Sequence, residues 1–282
     1  MKISYAIMCH NEGDELRTLI DTIVEHITDE DELVLLDDYS TNKETKLLID
    51  TYVPIHNIVY EQRHLYSDFA GQKNHLRKMC SGDYIFNLDA DEVPHKWLLA
   101  NIKEVLSLND NVDLYLLPRL NVVHGIGMSH VNKWGWNISA HPRHIKYEVF
   151  DTDTDQYELL KKSDLIINEY LPSELSTKLA GDTKLLTGLY KSKYNNKNLG
   201  EFMAEVDGTK QVVVYKAPIV NWPDRQGRIW KNIPNIRWEG YVHERIVGYT
   251  KYSRFPDDMQ YSIIHVKEIA KQVTQNEFYD TI

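Results

Sequence analysis

At 282 residues the chain is long enough for one substantial domain, or for a domain carrying an elaborated insert. Its 42% hydrophobic and 26% charged residues are those of a globular protein, and a net charge of −10 gives no chain-wide attraction for nucleic acid or anionic lipid. Two cysteines make no disulfide framework, MKISYAIMCHNEGDEL lacks the pattern of a secretory leader, and no apolar run approaches ~18 residues; a cytoplasmic protein without a membrane span is expected.

The first ~120 residues alternate strand-like and helix-like segments. ISYAIMCH reads as a strand, and residues 11–27 as a helix with Leu16, Leu19, Ile20, Ile23 and Ile27 on one face. ELVLLD is a second strand, followed by a helix for which Ser40 or Thr41 is placed as cap. NIVYEQ is a third strand, leading to a helix capped by Asp68. YIFNLD is the fourth, followed by a helix opened by Pro94 and then by VDLYLLPRL as the fifth. Strands that are apolar throughout, alternating with helices, predict an α/β fold: a single, mostly parallel central sheet with helices on both faces.

Right-handed crossovers bring the strand-to-helix turns HNEGDE, DDYSTNK and DADEVPH to one sheet edge, where ligands of such folds bind. All three turns are rich in Asp, Glu and Asn. Asp89 and Asp91 alternate at a strand end and so share a face, as a hard Mn²⁺ or Mg²⁺ ion with phosphate oxygens requires. Without such a cation this turn is expected to be loosely ordered, and Glu92 to do no more than help start the next helix.

From about 124 to 215 the alternation breaks, which predicts an inserted subdomain between a first half (1–123) and a C-terminal part (216–282). QVVVYKAPIV resumes as a strand, and IIHVKEIAKQVTQNEFY is a strand running into a helix. In the insert, KWGWNISAHPRHIK offers Trp134 and Trp136 for stacking on a sugar face or a nucleobase, or for packing on each other in a local core.

Six segments in order carry a family resemblance: Asn11-Glu12; Asp37-Asp38 followed by Ser40-Thr41; Gln72-Lys73-Asn74; Leu88 to Glu92; Trp222 to Trp230 (WPDRQGRIW); and Gly240 to Glu244 (GYVHE). Together they resemble the family 2 glycosyltransferases of the GT-A fold, in particular short bacterial enzymes related to lipopolysaccharide core-sugar transferases. The resemblance covers about 1–123 and 220–266 and does not extend to the insert.

It implies an inverting, metal-dependent transfer of a sugar from a nucleotide-sugar, a UDP-sugar by preference, to a saccharide hydroxyl. Asp38, or its neighbour Asp37, would accept the imide N–H of uracil; Met8 and Glu12 would line the nucleoside pocket. Asp91 with Asp89 would hold Mn²⁺ or Mg²⁺, Asp89 also serving the donor ribose, and His243 would be a third ligand. Lys73 would add a cation toward phosphate or donor sugar. Inversion needs a base, for which Asp224, Glu239 and Glu244 are candidates, Asp224 slightly ahead of Glu244. His265 and Lys267 read first as a pair at a helix start, and otherwise as candidates for closing over the diphosphate. Alternatives are transfer to a modified DNA base, which the net charge disfavours, a nucleotidyltransferase, which the acidic HNEGDE turn disfavours, and a non-catalytic nucleotide- or glycan-binding protein on the same fold.

Overall fold

The computed structural model describes residues 1–137, 148–150, 200–206, 209–215, 219–240, 244–257 and 259–279. Two units emerge: Met1–Arg119 with Arg225–Ile264 and Phe278–Ile282, and Leu120–Asp224 with His265–Glu277.

The first unit is built on β1 (Ile3–Cys9), β2 (Glu32–Asp37), β3 (Val59–Gln62) and β4 (Tyr84–Asp89), separated by α1 (Asp14–Val24), α2 (Lys43–Ile55) and α3 (Phe69–Met79). β1 pairs in parallel with both β2 and β4, and β2 with β3. After β5 (Glu92–Pro94) come α4 (Lys96–Leu108), β6 (Leu114–His124) and α5 (Met128–Trp134). Then follow β7 (Glu148–Phe150), β8 (Gly200–Val206), β9 (Thr209–Tyr215), β10 (Ile219–Lys231), β11 (Arg237–Glu239), β12 (Arg245–Val247), β13 (Tyr252–Arg254), β14 (Ile263–Glu268) and α6 (Ile269–Tyr279). Among the described residues the main sheet has the order β3-β2-β1-β4-β10-β6-β14-β5, with β13 on β6, and the division between the units falls within β6, β10 and β14. The β10–β4 pairing is antiparallel.

Alternate residues of the central strands feed two cores. Tyr5 and Ile7, Leu33 and Leu35, and Phe86 and Leu88 pack with apolar residues of α1, α2 and α4. Ala6, Val34, Leu36 and Ile85 face the other way, onto Ala70 and Leu76 of α3 and onto Trp230, Ile236 and Trp238. Burial on both faces explains why the strands are apolar throughout, and each large side chain removed from water contributes about 1.5–3 kcal/mol. This is the mostly parallel sheet, flanked by helices, that the alternation predicts.

Local signals are met in part. Asp68 caps α3 by accepting the Gly71 N–H at 2.8 Å. The cap of α2 is Asn42, not Ser40 or Thr41: Asn42 accepts the Glu44 N–H, while Ser40 is drawn into a buried bond with Asp37. Pro94 does not open α4 either. It ends β5, where the next N–H, that of His95, donates to Ser262 O, and His95 itself caps the helix through Trp97 N–H. QVVVYKAPIV divides between β9 and the start of β10.

In the second unit β7, β9 and β8 form an antiparallel three-stranded sheet. A small core joins Val123, Ile126, Val131 and Val220 to Trp134, Trp136 and Ile269.

Candidate active site

Parallel pairing sets the geometry. Met8 is level with Leu36 on one side and with Asp89 on the other, and Cys9 with Asp37, so the turns after β1, β2 and β4 leave the sheet side by side. Asn11, at φ 67°, ties the first turn to the second. Its side-chain oxygen accepts the N–H groups of Thr41 and Asn42 at 2.7 and 2.8 Å, and its own N–H donates to Ser40 Oγ. Glu12 turns back to accept the His10 N–H, and Met8 O accepts the Ala90 N–H, which joins the first turn to the fourth strand's end.

The adjacent aspartates divide. Asp37 is 1% exposed and is held by Ser40 N–H and Oγ–H on one oxygen and by Gln62 and Tyr60 on the other. Burial raises its carboxyl pKa, but these donors more than offset that and lower it. Asp37 is thus spent on building the turn. Asp38 is the half-buried member: one oxygen accepts the Leu65 N–H at 2.9 Å, and ring nitrogens of His10 and His64 each lie 3.8 Å from its carboxylate. Beside it Tyr39 stacks on His64, with ring centroids 3.9 Å apart and planes at 20°, and His64 lies 5.1 Å from the ring of Tyr66. Tyr39 and Tyr66 are exposed. This aromatic shelf was not among the sequence candidates; the sign of it was aromatics in two strand-to-helix turns, Tyr39 directly after Asp38 and Tyr66 after β3.

At the end of β4 the structure corrects the expectation of a loosely ordered turn. Ala90, Glu92 and Val93 are buried, and Glu92 is fully enclosed. One Glu92 oxygen accepts from Arg119 at 3.1 Å and from Arg228 at closer range, and the other accepts the Asp89 N–H at 3.1 Å. Glu92 therefore organises the turn and does not merely start a helix. Arg228, itself buried, also donates to Asp89 Oδ2 at 2.8 Å. Burial would raise the Asp89 carboxyl, but Arg228 and then Lys73 hold it well below the usual carboxylate range. Asp91 stands half-buried in the same turn. A half-buried carboxylate beside a second one with an oxygen not taken by Arg228 is a hard donor pair that suits a divalent ion. His243 lies outside the described residues, and among the described residues no group of three His, Cys, Asp or Glu side chains is gathered to hold a metal.

Lys73, whose charge acts on Asp89 at the end of β4, is also committed elsewhere. It is buried, lies 4.3 Å from the Trp238 ring centroid, and donates to Glu244. On either side of it, Gln72 binds the side chain and backbone of Arg63, and Asn74 exchanges hydrogen bonds with the backbone N–H and C=O of Trp238, at 3.0 and 2.8 Å. The QKN segment thus fastens α3 to β11, and it engages one candidate base, Glu244. Glu239 is exposed and paired with Arg237.

In the second unit Asp224 accepts from Asn121 Nδ2 at 2.9 Å, and Asn121 Oδ1 lies 2.8 Å from His265 Nδ1. Lys267 donates to Gln275 of α6. Trp134 and Trp136 are half-buried with centroids 4.8 Å apart in the small core. Most of KWGWNISAHPRHIK, from residue 138, lies outside the described residues.

The family model described as glycosyl transferase family 2 matches residues 4–152, just over half of the chain and the stretch that holds the three turns. A lipopolysaccharide core biosynthesis glycosyltransferase, LpsC of Rhizobium meliloti, is 29% identical over 136 residues. The match covers 47% of each protein, so the chain spans about half the length of that relative. Among solved structures, S. aureus TarS 1–349 is 18% identical with a TM-score of 0.36, over 53% of this chain and 40% of that one. The mannosyltransferase PcManGT from Pyrobaculum calidifontis, in complex with GDP-Man and Mn²⁺, is 20% identical with a TM-score of 0.37, over 42% and 35%. These structural overlaps are too partial to bear on what is bound here. The matched residues and the strand-end turns they contain establish that the chain belongs to the family 2 glycosyltransferases.

Proposed function

We propose that the protein transfers a sugar from a nucleoside-diphosphate sugar, a UDP-sugar by preference, to a saccharide hydroxyl with inversion at the anomeric carbon. The observation that carries this reading is the placement of Asp38 and of Asp89 with Asp91 at the carboxyl ends of strands flanking β1, with Met8 level with Asp89. Asp38 presents a carboxylate to the imide N–H of a base, and the Tyr39–His64–Tyr66 shelf offers it aromatic faces. Asp91, with the second oxygen of Asp89, would hold Mn²⁺ or Mg²⁺. When bound, such an ion supplies Lewis-acid stabilisation to a departing diphosphate.

The chain's own residues do the rest. Asn11 and Asp37 fix the two turns that hold the nucleoside, and Glu12 closes the first of them. Lys73 acts on the donor side through the Glu244 and Trp238 contacts that anchor α3. The acceptor's proton needs a carboxylate base. Glu244 is already engaged by Lys73, which favours Asp224, with Asn121 orienting its carboxylate. The region 124–215 is assigned to acceptor choice, with Trp134 and Trp136 as its candidate contacts. The test is mass spectrometry of products after incubation with Mn²⁺, a panel of UDP-, GDP- and ADP-sugars and oligosaccharide acceptors. Transfer or slow hydrolysis of one donor class supports the reading; no turnover and no binding across the panel would contradict it.

A further inference from the structure

We propose that Arg228 is the positioning residue of the donor-binding turn. With Arg119 it supplies the positive charge that assembles residues 89–92, and it restricts Asp89 to one ligand-facing oxygen. This rests on reading the turn as the donor and cation site. Three acids in four positions repel one another unless cations stand between them. Here two guanidinium groups do so, reaching the turn from β6 and β10.

The arrangement is specific in three respects. Glu92 is 0% exposed, and breaking a buried pair by removing one partner leaves an uncompensated charge. Arg228 touches both Asp89 and Glu92 through its NH2 group, fixing the two carboxylates relative to each other. The Asp89 N–H in turn donates to Glu92, so the main chain leading to Asp91 is held by the same clamp. The turn is therefore assembled by contacts within the protein, and Asp91 follows directly on the main chain that the clamp holds. Lysine in place of Arg228 keeps the charge but replaces a rigid, planar guanidinium, whose NH2 group sits between both carboxylates, with a flexible stem ending in a point charge.

The experiment compares full-length wild type with Arg228→Lys by calorimetric titration of UDP in Mn²⁺ and by spin-resonance titration of Mn²⁺ alone. Melting curves accompany both. The proposal expects Arg228→Lys to melt cooperatively yet to bind UDP about tenfold more weakly and Mn²⁺ alone about fivefold more weakly. A folded Arg228→Lys protein with wild-type affinity for both would overturn it, because a merely structural arginine moves the melt and not the affinities. Should Arg228→Lys not fold, Glu92→Gln reads the clamp from its other side. Its Oε1 still accepts from both arginines, but its Nε2 cannot accept the Asp89 N–H, so the same losses are expected and wild-type affinities would again overturn the proposal. Wild type that binds Mn²⁺ but no nucleoside diphosphate would contradict the donor reading alone, with the Mn²⁺ comparison still deciding the clamp. Wild type that binds neither would contradict both.

Discussion

Asp37 and Asp38 are neighbours in sequence with opposite fates, and the difference lies in where the chain turns. Asp37 is the last residue of β2 and points inward to Ser40, Tyr60 and Gln62, whereas Asp38 begins the turn and faces the histidines. Asp38→Asn should weaken UDP binding about tenfold with little change in melting temperature, because the amide oxygen can still accept the Leu65 N–H while the charge offered to the ligand is lost. Asp37→Asn should instead destabilise the protein, since an amide nitrogen would meet donors already committed to that site. Calorimetry and urea melts separate the two outcomes. Glu32 shows the same logic far from the site. Burial raises its carboxyl, but Lys2, Ser4 and Ser81 hold it down at about 2. A folded-state pKa below the unfolded value means stabilisation that is complete above the unfolded pKa near 4.5 and lost as pH falls toward 2. Glu32→Gln should therefore cost on the order of 2 kcal/mol at pH 7, with the penalty shrinking toward zero near pH 2; urea melts across that range are the check.

The elements most legible in the sequence are those whose stability is local or evenly apolar. β1, β2 and β4 stand where continuous apolar runs place them, and α1 buries the Leu16, Leu19, Ile20 and Ile23 stripe. What the pattern does not reveal are elements held by partners distant in the chain. β5 looks like a helix start because Pro94 is a good first helical residue, yet the His95 N–H bonds to Ser262 and the three residues extend instead. The inward face of α3 carries Gln72 and Lys73 because Arg63, Glu244 and Trp238 receive them, and no periodicity of apolar residues announces such a face. Asn74→Ala should strip Trp238 of two backbone partners and destabilise the protein by about 1–3 kcal/mol, read as a lowered urea midpoint with an unchanged slope.

At the scale of the whole chain, one set of parallel strands brings residues from three turns to one edge, and this much follows from strand–helix alternation alone. The individual partners do not. Arg228 lies 139 residues from Asp89, and Glu244 lies 171 from Lys73, so neither pair is visible as a local motif although both members of each stand within recognisable segments. No helix among the described residues is long and apolar enough to cross a membrane. As proposed, the β2 and β4 turns together form a cation-dependent nucleoside-diphosphate site. Titrating UDP into wild type and Asp91→Asn, each in Mn²⁺ and in EDTA, tests it most directly. The account predicts binding by wild type in Mn²⁺, at least tenfold weaker binding in EDTA, and no effect of Mn²⁺ on the variant. Equal UDP affinity in all four titrations, or none in any, would contradict it.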